Sequence, residues 1–110
     1  MFAARRALVV WSLLFASPLA ASAADRELWK FDKGSFVKVD DKHWVERDAS
    51  GKVAFNYTER RRTKEFVGLR DRDRKLIIRL KDDACFIHYG LEDPADESKW
   101  EKLYQGAWAK

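Results

Sequence analysis

Between Leu28 and Tyr89 apolar and polar residues alternate at every second position, and short polar turns cut the alternation. A period of two sends successive side chains to opposite faces of a strand, so such segments bury one face by forming antiparallel sheet. "ELWKF" and "SFVKV" flank Asp32-Lys33-Gly34, and "FVKV" and "HWVER" flank Asp40-Asp41-Lys42. "HWVER" then meets "KVAFNYTER" across Asp48-Ala49-Ser50-Gly51, where Gly51 can take the positive φ of a tight turn. Val53, Phe55 and Tyr57 share one face of that strand and Ala54, Asn56 and Thr58 the other, which predicts a half-buried strand. "FVGL" and "LIIRL" predict two more strands, with Val67, Leu69, Leu76, Ile78 and Leu80 inward. The "RDRDRK" between them reads as a solvated turn in which Asp71 accepts hydrogen bonds from turn amides.

After Gly90 the signals change. In "LEDPADESKWEKLYQGAW", Asp93 reads as an N-cap and Pro94 as the first helical residue, with acids crowding the first turn. Trp100, Leu103, Tyr104 and Ala107 recur at helical spacing, so a helix is predicted over about residues 93–108. The fold class is therefore mainly β: a single antiparallel meander of six or seven strands, rolled into a small barrel or sandwich. The C-terminal helix would cover an open edge or mouth.

The N-terminus reads as a secretory signal peptide over residues 1–23. Arg5 and Arg6 form the positive region, Ala7 to Ala16 an apolar run too short to span a bilayer, and Pro18 ends it. Ala21 and Ala23 place the cut after Ala23 or Ala24. The expected product, residues 24–110, is a single periplasmic or secreted domain with no transmembrane segment. The full chain carries 22 basic and 18 acidic residues, and removing Arg5 and Arg6 leaves 20 against 18, or +2. So small an excess argues against nucleic acid as the partner.

A domain this small lacks the help of an internal disulfide, because Cys85 is the one cysteine. Of the five Trp, seven Phe and three Tyr, all but Phe2, Trp11 and Phe15 lie after the cut and must supply the core instead. Cys85 lies among apolar residues in "ACFIHYG", which predicts a buried thiol, with an intermolecular disulfide as the competing reading.

No constellation points to catalysis. Cys85 and His88 are three apart, an odd separation that puts them on opposite faces of a strand. Glu46 and Glu59 could form a hydrolase-like carboxylate pair, but Arg47, Arg60 and Arg61 are nearer partners. His43 and His88 are isolated, so neither a metal nor another cofactor is expected.

The segment "GSFVKVDDKHWVERDASGKVAFNYTERRRTKEFVGLRDRDRKLIIRL" resembles a small β-rich domain of unknown function found in secreted bacterial proteins. The matching positions are Phe36, Trp44, Glu46, Phe55, Glu59, Arg60, Leu69, Asp71 and Arg74, with the C-terminal segment outside them. The resemblance implies export and an all-β fold, and implies no activity.

Charge is segregated along the chain. Residues 60–81 hold ten basic residues against Glu65, Asp71 and Asp73, whereas residues 82–101 hold seven acids against Lys99. This polarity fits a basic surface for an anionic partner, an acidic segment folded back over basic strands, or a solvated charged surface with no specific partner. The expectation is a non-enzymatic exported domain that binds an anionic glycan, a lipid headgroup or another exported protein. An inhibitor-like or structural envelope protein is the alternative, with a small hydrolase ranked after it. The candidate ligand-binding residues are Arg60, Arg61, Arg62, Arg70, Arg72 and Arg74.

Overall fold

The structure, a computed structural model, describes residues 26–109; the signal peptide over 1–23 and its cut after Ala23 or Ala24 lie outside the described residues. Eight strands follow one another: β1 (Leu28–Phe31), β2 (Gly34–Lys38), β3 (His43–Asp48), β4 (Val53–Arg62), β5 (Val67–Asp71), β6 (Leu76–Leu80), β7 (Ala84–Tyr89) and β8 (Glu101–Trp108). Each pairs antiparallel with the next, and β8 returns to β1, with Trp29 opposite Trp108, to close a barrel. Of the two architectures the alternation allowed, closure selects the barrel, which leaves no unpaired edge.

The turns follow from their side chains. Asp48 Oδ1 accepts from the amides of Ser50 and Lys52, and Gly51 takes a φ of 90°. Asp71 Oδ1 accepts from the amides of Asp73 (3.0 Å) and Arg74 (3.2 Å), as expected for "RDRDRK". Lys75 completes that turn with a φ of 57°.

The interior is filled by side chains. Trp29, Phe36, Trp44, Val67, Leu69, Leu76, Ile78, Leu80 and Cys85 form its core, so the five residues expected to face inward from β5 and β6 all do. β4 keeps its predicted alternation from Phe55 to Tyr57 and breaks it before Phe55. Glu46 pairs with Phe55 and Arg47 with Val53, so Ala54 is an extra residue that reverses the alternation. Tyr57 is buried, but Val53 and Phe55 remain exposed.

The predicted helix over 93–108 is not formed; its place is taken by one 3-10 turn, Glu97–Lys99, and by β8. Asp96, not Asp93, caps the turn by accepting from the Ser98 amide. Two features of β8 imitated a helical stripe. Leu103 is an extra residue, since Cys85 pairs with Tyr104 and Phe86 with Lys102. Beyond it Tyr104, Gly106 and Trp108 recur every second residue, but glycine hides the middle position of the series. Pairing with both β7 and β1 outweighs a short helix that is marginal by itself.

Among the described residues no helix is long and apolar enough to cross a membrane. The barrel wall is also charged outside and apolar inside, opposite to the pattern of a barrel that faces lipid.

Candidate functional site

The six candidate arginines divide among three places, and a second bulge in β4 separates Arg62 from Arg60 and Arg61. Glu59 pairs with Leu69 and Arg61 with Gly68, leaving Arg60 as the extra residue. The bulge turns both Arg60 and Arg61 to the outer wall and returns Arg62 to the interior side shared with Glu59.

Arg62 donates to Glu59 from Nη2 (3.0 Å) and to the Arg26 carbonyl from Nη1. Lys38 Nζ lies 3.4 Å from the same carboxylate, and Trp44 Nε1 donates to it (2.8 Å). Burial pushes the Glu59 pKa up, but the bonds from Arg62 and Trp44 and the charges of Arg62 and Lys38 outweigh it. The net shift is downward. Glu59 therefore pairs with Arg62 and Lys38 at one end of the barrel, and not with Arg60 or Arg61 as its neighbours in sequence suggested.

Arg74 lies across the opposite end. Its Nε donates to Asp71 Oδ2 (2.6 Å), its Nη2 to the Tyr57 hydroxyl (2.9 Å), and its guanidinium stacks 3.4 Å from the centre of the Phe55 ring. Tyr57 donates in turn to Glu46 Oε1 (2.7 Å), and Tyr104 donates to Glu46 Oε2 (3.2 Å). Burial, followed by the Glu46 charge, pushes the Tyr104 pKa up to about 12. Glu46 and Glu59 thus belong to separate networks, without the shared open cleft of a hydrolase pair.

On the outer wall the acidic segment folds back over basic strands. Asp93 receives Arg60 Nη1 at 3.1 Å and Arg61 Nη1 at 3.3 Å, with Arg79 Nη2 at 3.9 Å. Glu97 lies 3.9 Å from Arg79 and 3.8 Å from Lys81. Arg79 is sandwiched, 4.3 Å from the Phe66 ring centre and 4.2 Å from that of Trp100. This stack was not among the expected site residues. Its signal in the sequence was only the +7 segment followed directly by the −6 one.

Arg70 and Arg72 remain on this wall without an ion pair to a described carboxylate. With Thr58, Glu59 and Arg60 they line a groove of about 330 Å³ over β4 and β5. An adjoining depression adds His43, Asn56, Asp71 and Asp73. His43 Nε2 pairs with Asn56 Oδ1 (2.9 Å) there. Arg70 Nε is buried without a hydrogen-bond partner among the described residues. Burial, then the like charges of Arg60 and Arg72, depress the Arg70 pKa. Guanidiniums placed this way offer donors to an oxyanion.

Cys85 and His88 do face opposite sides. Cys85 is buried in the core, where burial pushes its thiol up to about 12, and His88 packs outside against Trp100. The chain matches no family model, no curated protein and no solved structure.

Proposed function

We propose that this chain is a non-enzymatic exported domain, periplasmic or secreted, that binds an anionic ligand of the envelope or extracellular space on the outer wall of β4 and β5. The observation that carries this reading is the groove shared by Arg60, Arg70 and Arg72, in which neither Arg70 nor Arg72 has a carboxylate within ion-pair distance among the described residues, although the charges of Glu92 and Asp93 reach Arg70. Because aromatic and aliphatic side chains fill the barrel, a ligand is bound outside it. Of the six arginines expected from the sequence, Arg70 and Arg72 carry the site, with Arg60 at its edge in a 3.1 Å pair with Asp93. Arg61 is held by Asp93, and Arg62 and Arg74 serve the interior networks.

Retention on immobilised heparin tests the reading. The protein should elute at modest salt, and Arg70→Gln with Arg72→Gln should advance elution more than Lys30→Gln with Lys33→Gln, two exposed positions on β1 and its turn. Equal shifts would show that charge count controls retention and that no site exists.

A second reading, an inhibitor-like domain acting on another exported protein, draws on the end of the barrel near Arg74. Phe55 and Tyr89 are exposed there, by 38% and 66%. Exposed aromatics of this kind suit a protein contact. Cross-linking at Tyr89 in cell-envelope preparations tests it; a discrete adduct lost in Phe55→Ser is expected.

A further inference from the structure

We propose that the groove between β4 and β5 is a site for a phosphomonoester group, with Arg60, Arg70, Arg72 and the Thr58 hydroxyl as its donors. This rests on the anion-binding reading above and narrows it.

The strand geometry brings these donors together. Arg70 lies on β5 and Arg72 opens the turn that follows it, two residues on, and both line the groove. Thr58 is directly opposite Arg70 across the β4–β5 ladder, and the bulge at Arg60 keeps its side chain on the outer wall. Donors therefore approach one groove from two strands.

The charge favours phosphate over carboxylate. A lone carboxylate presents two coplanar oxygens and one charge, which one bidentate guanidinium can match; Asp93 already occupies Arg60 and Arg61 on the flank of the groove, leaving Arg70 and Arg72 to face a ligand. A phosphomonoester presents three terminal oxygens and about −1.5 to −2 charges at neutral pH. That demand matches several guanidiniums converging from different directions.

The adjoining depression suggests what carries the phosphate. His43, Asn56, Thr58, Asp71 and Asp73 line it beside Arg70 and Arg72, so hydroxyl partners and two carboxylates surround the arginines there, a setting suited to hydroxyls next to a single phosphate. A phosphorylated sugar, free or as a lipid headgroup, fits both halves.

Nuclear magnetic resonance titration of the protein expressed from the full chain tests the proposal. Glucose 6-phosphate should shift the amide signals of Thr58, Arg60, Arg70 and Arg72 in a saturable way, inorganic phosphate should shift them more weakly, and glucose should not. Arg70→Gln and Arg72→Gln should each weaken binding about tenfold, the loss of one charge-assisted pair. Arg72 is exposed in a turn, so that variant reports on binding even if Arg70→Gln fails to fold. Lys30→Gln with Lys33→Gln should change affinity less than twofold. Vesicles of phosphatidylcholine with and without phosphatidic acid separate the sources. Binding only to phosphatidic acid vesicles, competed by glucose 6-phosphate, supports a lipid-borne phosphate; no vesicle binding supports a free phosphosugar. Absence of shifts with both glucose 6-phosphate and phosphatidic acid overturns the proposal, as does equal weakening by the lysine variant. Heparin retention that still depends on Arg70 and Arg72 would then leave the broader anion-binding reading standing, whereas loss of that dependence would remove both.

Discussion

The indole of Trp29 lies where a side chain at position 106 would have to go. A Cβ built on Gly106 would stand 2.7 Å from Trp29 Cη2, and it would also press on the Lys30 carbonyl oxygen. The two residues meet where β8 closes onto β1, so this contact is the seam of the barrel.

Gly106→Ala should accordingly destabilise the protein by at least ~2 kcal/mol, because the overlap is with backbone and a fully buried ring that has little room to move. Denaturant unfolding with tryptophan fluorescence checks this. An unchanged midpoint would mean that the seam is looser than the geometry requires.

Trp100→Ala should cost about 3 kcal/mol, since it removes a nearly buried ring and one side of the Arg79 stack. Replacing Asp96 and Glu97 by Asn and Gln should cost much less, because both are exposed. Thermal unfolding of the two variants should therefore differ clearly. Asp93→Asn should lower stability modestly and strengthen heparin retention, because it releases Arg60 and Arg61 beside the groove.

Acid should weaken the fold through Glu59. Its folded-state pKa lies below the ordinary carboxylate value of 4.5. Its contribution is therefore complete above that value and is lost as pH falls toward the depressed one. Glu59→Gln should cost about 2 kcal/mol at neutral pH and flatten this part of the acid profile. Unfolding midpoints at pH 7 and across the acid range measure both effects, and equal slopes in the two proteins would contradict the assignment.

Cys85 should resist thiol reagents in the native protein at pH 8, because its thiol is buried and its pKa is pushed up to about 12. Labelling should accelerate only on unfolding. Rapid native labelling, or a dimer lost on reduction, would instead support an intermolecular disulfide.

N-terminal sequencing of protein recovered from periplasm or medium should begin at Ala24 or Asp25. A product that retains Met1 would remove the basis for export.

The sequence alone determined that residues 28–89 form antiparallel strands, which side chains of β5 and β6 fill the core, and how Asp71 holds its turn. Each of these depends on alternation or on a side chain bonding to its near neighbours, and both are local. What only the tertiary structure decided lies beyond the bulges at Ala54, Arg60 and Leu103. A bulge is a mismatch between two paired strands, so one strand's sequence does not show where the alternation reverses. For that reason Arg60, Arg61 and Arg62 read as one basic run, although Arg62 turns to Glu59 and Arg60 to Asp93. Likewise Trp100 to Trp108 read as a helix until closure against β1 required an eighth strand there. The groove of Arg60, Arg70 and Arg72 belongs to the same class of fact: it exists because one bulge brings a residue of β4 to the same outer wall as two arginines from β5 and its turn.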